Sequence, residues 1–403
     1  MYQPARRRSQ RRGGRVRIAR ALVAVLSMGL VGVVVVPSAG TAEPSPALHT
    51  VVRGLDNPRG LVLLPNGTLA VAEAGHAGPL CLGQGECAGL TGRIIAIDPR
   101  GGRQKTLAAG FPSIGGPFAP FGLGGLAVRS GRLYAIVGEN PQEFGDPTQD
   151  CKGRRHPRAC AATLGKVISE VGNFVELRSL RANHGWRTLA RVGRFDFHYV
   201  GTHPQPGTPP DGDPFGLITR PSGGFYVVDA ASNTLGSVNG RGRISVIRFV
   251  PDPPHHEPIY DAAPTCAARI PDGALVIGTE AGTLLRWKPR HMTRLLVGGK
   301  VQQVVACVAD AHGNVYLANL DTSVKNFIGM PFTGSVVKVT PALRTSYIAR
   351  GLNYPTGMTL GPDGSLYVTV NGLCPTSLSL LNSRNARPHA CPASGEVVRI
   401  DQR

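Results

Sequence analysis

Glu73, Asp229 and Asn319 are the side chains whose type and spacing point to cation chemistry. Each closes a short apolar run that follows a tight polar turn. Those turns fall at Asn66, Ser130, Ser222, Asp272, His312 and Asp363. Aligned on the turns, the ends of the runs hold Glu73, Val137, Asp229, Thr279, Asn319 and Val370. Oxygen-bearing ligands thus occur at alternate positions, with Asn371 one step beyond the last. Several oxygens converging from separate elements are what a hard cation such as Ca²⁺ requires. The competing reading is that Asp and Asn at strand ends form turns and cap their own loops. Arg59, before Gly60, is expected on the same face. It is free there to bind an acidic ligand, to pair with Glu73, or to be a plain surface arginine.

Other chemistries find little support. The eleven histidines are scattered. His255 and His256 are adjacent, and neighbouring residues of an extended chain face opposite ways. No Ser/His/Asp spacing and no phosphate-binding glycine loop is visible.

The elements that must position these residues are repeats. Gly54–Gly75 reads GLDNPRGLVLLPNGTLAVAEAG, two β-type runs joined by Asn-Gly, the signature of an antiparallel hairpin. Gly351–Asn371, GLNYPTGMTLGPDGSLYVTVN, repeats it nearly 300 residues on. Arg93–Asp98 and Arg103–Ala108 supply two further strands in the first repeat, so one repeat is a four-stranded propeller blade. Six turns predict six blades. The second carries an insertion around 138–212, within which Leu164–Val171 reads as a strand, Phe174–Tyr199 is ambiguous and Gly201–Gly212 is a Pro-rich loop. The last repeat lacks a fourth strand, and His49–Leu55 has the pattern of the missing one. The expected fold is therefore an all-β six-bladed propeller closed by its N-terminal strand, which removes two exposed edges. Gly60, Gly216 and Gly357 on the inner strands are expected to serve packing near the crowded axis.

The chain has 403 residues, 53 of them Gly and 34 Pro, as turn-rich β architecture requires. Residues 1–42 carry eight Arg and no acid, so the net +19 falls to +11 for the rest. The Arg-rich start, the apolar Ala21–Val36 and the small residues Gly40-Thr41-Ala42 read as a secretory signal peptide. A retained anchor is the rival, against which the apolar run is shorter than the roughly 20 residues a spanning helix needs. Residues 43–403 are then one propeller domain, secreted or periplasmic, with no membrane span after cleavage. The basic residues are scattered and no nucleic-acid motif is present, which argues against specific nucleic-acid binding. A solvated basic surface facing an anionic envelope is the simpler reading.

Eight cysteines agree with an oxidising compartment. Cys81 with Cys87, Cys151 with Cys160 and Cys374 with Cys391 form close pairs in loops, expected as disulfides. Cys266 and Cys307, on apolar runs of neighbouring repeats, are either a fourth bridge or buried thiols. The sequon at Asn66 lies in a tight turn and reads as incidental.

The LDNPRGL lead-in, the acidic end of LAVAEAG, the cysteine loop before TGRIIAID, and DGDPFGL…FYVVDAASNTL together resemble the ScyD/ScyE family, exported proteins first named from the cyanobacterial scytonemin gene cluster. The resemblance covers most of Leu48–Asp401. It implies a six-bladed propeller of NHL-like repeats and carries no assigned reaction. The leading expectation is an exported propeller that binds a small molecule or protein on the loop-insertion face, as a monomer. Glu73, Asp229 and Asn319 also resemble the Glu, Asn and Asp that hold a divalent ion in gluconolactonase-type propellers, though in a different order and without an evident general base. That makes a metal-dependent lactonase or hydrolase the alternative. A quinoprotein sugar dehydrogenase shares the NPxG lead-in, but the His it needs over its cofactor has no counterpart that can be placed.

Overall fold

Runs such as Leu69–Glu73, Leu275–Thr279 and Val315–Asn319 are buried at every position. A strand that is apolar on both faces must be covered on both faces, so its sheet lies sandwiched between two others. The computed structural model describes residues 48–83, 86–115, 120–181, 185–254, 261–320, 331–373 and 394–402. The chain divides into Met1–Pro44 and Ser45–Arg403. The signal-peptide reading of residues 1–42 lies outside the described residues.

The molecule is an all-β propeller. Three four-stranded antiparallel sheets follow one another along the chain, from Pro214–Thr219 to Ile244–Phe249, from Pro264–Arg269 to His291–Val297, and from Val304–Ala309 to Thr345–Leu352. A fourth is built from both ends of the chain. Leu48–Leu55 pairs antiparallel with Gly395–Ile400, with Val52 opposite Val397, outside Leu366–Val370 and Gly357–Leu360. The N-terminal strand therefore does complete the last sheet.

The expectation of six separate four-stranded blades is corrected to four. The first two repeats form one nine-stranded sheet. The cause is local: Gln104–Gly115 runs on past its own repeat, and Ser113–Gly115 pairs with Pro120–Gly122 of the next strand. A short strand, Leu80–Gly83, adds to the same sheet and carries the cysteine loop.

Apolar cores fill the spaces between successive repeats. Val52, Leu55 and Val397 pack on Leu61, Leu69 and Ile95. Ala72 and Ile94 pack with Leu133 and Val175, and Tyr134 and Phe174 with Leu217 and Phe225. Near the axis the backbones come so close that a Cβ on Gly60 would sit 2.3 Å from the Gly124 carbonyl oxygen, and one on Gly357 2.1 Å from that of Arg59. Only glycine fits these two positions.

The second repeat carries helices where strand was expected. Of Leu164–Val171, all but the C-cap Val171 belong to helix α2 (Pro157–Glu170), preceded by the short α1 (Pro147–Asp150). Its buried residues Cys160, Leu164 and Val167 follow helical spacing. The ambiguous 174–199 stretch divides into strands Asn173–Leu177 and Trp186–Arg191 and then helix α3 (Val192–Thr202). Insertion and blade are thus interleaved rather than consecutive. Among the described residues no helix is long and apolar enough to cross a membrane.

Candidate functional site at the channel mouth

The second strand of each repeat ends by returning a backbone N–H to its own lead-in loop. Ala74 donates to Asn57, Gly138 to Gly122, Ala230 to Asp213, Glu280 to Ala263, Leu320 to Gln303 and Asn371 to Asn353. This closure decides what the strand-end side chains touch. Glu73 is fully buried; its Oε1 accepts the Asp56 N–H at 2.7 Å, and its carboxylate pairs with Arg93. Asn319 donates to the Lys300 carbonyl at 2.8 Å and to Ser335 Oγ at 3.1 Å. Asn371 donates to the Ser394 carbonyl and accepts from Asn353. Asp229 Oδ1 accepts the N–H groups of Asp213 and Ser232, each at 2.9 Å. Each of the four is bonded to its own repeat, and none donates to or accepts from another.

Arg59 does reach the axis, but its partners differ from those expected. It is buried, and it donates to the carbonyls of Gly372 and Pro120, the latter at 2.8 Å. Glu73 is answered by Arg93 on the adjacent strand instead. Burial lowers the Arg59 pKa to about 10, against the opposing pull of Asp213. The guanidinium sits at one end of a narrow axial cavity of about 90 Å³, lined by Gly60, Gly125, Phe215, Thr265, Thr356 and their neighbours. That volume suits a few waters rather than a substrate.

Around the same mouth lies a group of acids that the sequence reading missed. Asn140, fully buried, caps the short 3₁₀ turn Pro141–Glu143 and donates to Glu143 Oε1 and Asp211 Oδ1, both at 2.7 Å. Asp213 Oδ1 accepts the Glu139 N–H at 2.9 Å. Burial, and after it Asp229 and Asp211, push Asp213 up to about 7, with Arg59 pulling the other way. Glu280 is pushed to about 7 by burial and then by Asp213 and Asp261. Glu139 is raised by burial and by Asp213 and Glu143. Partial burial of its carboxyl, and then Asp211, raise Glu143 as well. Carboxyls crowded in this way share protons unless a cation takes their place. A sequence signal did exist. Asp213 occupies the lead-in position of its repeat, Glu280 directly follows a strand-two end, and Glu139 lies two residues beyond one.

Among the described residues no three His, Cys, Asp or Glu side chains are arranged to hold one metal ion.

Disulfides join Cys81 to Cys87, Cys151 to Cys160 and Cys266 to Cys307. The last ties the inner strands of two neighbouring sheets, which closes the alternative left open for that pair. Cys374 and Cys391 lie outside the described residues, as do His255 and His256. The bridges suggest an oxidising environment.

No protein-family model matches the chain. No curated protein matches it either. Solved structures do. A structural-genomics protein of unknown function from Bacteroides thetaiotaomicron aligns over 87% of this chain and 74% of its own, at 11% identity and a TM-score of 0.50. The calcium-binding protein regucalcin from Agrobacterium tumefaciens aligns over 88% and 93%, at 12% identity and a TM-score of 0.49. A gluconolactonase from Xanthomonas campestris aligns over 88% and 89%, at 11% identity and a TM-score of 0.47. At these identities the likeness is one of fold alone.

Proposed function

We propose that this chain is an exported propeller of the ScyD/ScyE kind that binds a ligand over its channel mouth, through a cationic group on that ligand. The observation that carries the reading is the gathering of Glu139, Glu143, Asp211 and Asp213 from two separate segments beside Arg59. An ammonium or guanidinium donates hydrogen bonds in several directions, which suits half-buried carboxyls better than it suits a fixed coordination shell. Ligand binding would release the protons these acids share. The test is calorimetric titration of the mature protein with arginine methyl ester and with a neutral analogue, in two buffers of different ionisation heat. Binding of the cation alone, with proton release, supports the reading. Equal response to both ligands, or no response, overturns it.

The second reading is a divalent-metal-dependent hydrolase of the lactonase kind. Asp213 and Glu280, near 7, favour it, because a carboxyl that titrates near neutrality can exchange protons in a reaction. It requires Glu73, Asp229 and Asn319 to give up partners they now hold. Metal analysis of purified protein and a lactone panel decide it, and absence of both metal and turnover would sink it.

A further inference from the structure

A second cavity lies between the helical insertion and the start of α3, lined in part by Pro141 of the Pro141–Glu143 turn but by none of the side chains of the mouth acids. Its volume is about 330 Å³, at the small end of the range for organic ligands. Pro141, Pro147, Ile168 and Val171 give it an apolar lining, and Arg191 and Arg194 stand at its edge. Among the described residues neither guanidinium donates to any side chain or carbonyl. Some arginines elsewhere in the fold are paired with acids. Arg187 and Arg132 are both held by Glu176 at 2.6 Å, and Arg93 by Glu73. Glu170 accepts from the Asn173 amide and makes no ion pair with either arginine.

Gly165 supplies an independent observation. It sits within α2 and faces this cavity. Glycine inside a helix is unfavourable relative to alanine. Packing does not demand it, since a Cβ there would meet nothing within 4 Å. The missing side chain leaves the cavity open.

We propose that this cavity binds a small organic acid with an apolar body, its carboxylate held by Arg191 and Arg194 and its body against Ile168, Val171 and the two prolines. Guanidinium forks match a carboxylate bidentately. An apolar wall behind them selects against a bare inorganic anion. The site uses none of the acidic side chains of the mouth, so it stands or falls separately from the reading above.

The experiment uses the mature protein and three probes: phenylacetate, its neutral amide, and inorganic phosphate. Phenylacetate is expected to bind about tenfold or more tighter than phenylacetamide, because the charge-assisted hydrogen bonds are lost with the charge. The double substitution Arg191→Gln with Arg194→Gln should remove that preference. Gly165→Leu should fill the cavity and abolish binding while leaving the melting temperature equal or higher. That variant keeps the test decisive if the double variant folds poorly. Equal binding of acid and amide, phosphate binding as tightly as phenylacetate, undiminished binding by Gly165→Leu, or no binding of phenylacetate would each overturn the proposal.

Discussion

The carboxyl of Asp196, on α3, lies against that of Asp229 at the end of the strand Phe225–Asp229, and both side chains are buried. Asp229 Oδ1 is taken by two backbone N–H groups, while Asp229 Oδ2 and Asp196 Oδ1 have no donor of their own. Two carboxylates cannot both be charged there, so one of them holds a proton between them. The inserted helix is thus fastened to the propeller by an acid pair, next to the acids of the channel mouth.

The sign of the resulting pH dependence follows directly. Burial, and then each other's charge, raise Asp196 well above the ordinary carboxylate range, and burial raises Asp229. Burial also takes Asp213 and Glu280 to about 7. All four folded values exceed the unfolded ones of roughly 3.9–4.3. The folded chain therefore keeps protons that the unfolded chain has released, and stability falls as pH rises from about 4 through 7. Asp196→Asn supplies a permanent N–H donor in place of the shared proton. It should raise stability at pH 8 by about 1 kcal/mol or more and change little near pH 4. Denaturant melts at both pH values test this, and parallel shifts at the two would refute it.

Glu73 and Arg93 form a one-sided pair, the carboxylate wholly buried and the arginine side chain 37% exposed. Removing the arginine strands a buried charge, whereas removing the acid leaves an arginine that water can reach. Arg93→Ala should therefore cost roughly 2–3 kcal/mol, and more than Glu73→Gln. Ca²⁺ should not move the melting temperature of either. A Ca²⁺-induced rise that disappears in Glu73→Gln would instead support the metal-dependent reading.

Much of the architecture was legible because its signals are local. Asn66-Gly67 and Asp363-Gly364 mark hairpins through the backbone conformation they allow, and the missing fourth strand could be matched to His49–Leu55 by pattern. The strand-end register was legible for the same reason: Glu73, Asp229 and Asn319 do occupy equivalent positions opposite Pro58, Pro214 and Val304. What they bond to was not, because Arg93 and Ser335 come from the next strand, and pairing across strands leaves no mark in a single run. The acids of the mouth were hidden by distance: Asn140 and Asp211 meet across 71 positions of the chain. The α2 helix was misread because LGKVISEV alternates well enough for a strand. The burial of Cys160, set by its bridge to Cys151, favours the helical face instead.

Closure by the N-terminal strand predicts a specific failure. Deleting residues 43–53 removes Val52, buried against the last sheet, and strips Gly395–Ile400 of its outer partner. Loss of that buried side chain alone should cost roughly 2 kcal/mol or more, and the exposed edge should promote self-association. Light scattering and melting of the truncated protein check both. An unchanged melting temperature in a monomeric sample would show that the strand is not structural.

The Cys266–Cys307 bridge offers the strongest separation of the propeller's stability from its chemistry. It spans 41 positions and links the inner strands Pro264–Arg269 and Val304–Ala309, both of which line the axial cavity. Closing a loop of that length contributes about 4 kcal/mol in the chain-entropy model. Replacing both cysteines by serine should lower stability by about that amount, and leaves two hydroxyls in an apolar cluster with Val276 and Leu317. Replacing both by alanine removes the bridge without that second cost, so the double-alanine protein should be the more stable of the two. Neither change touches Arg59, Asp213 or Glu139, so binding at the mouth should survive in whatever fraction remains folded. Non-reducing peptide mapping followed by denaturant melts of the two variants gives the answer: free thiols at these positions in exported protein, or a double-serine variant as stable as the parent, would show that the two inner strands are held by packing alone.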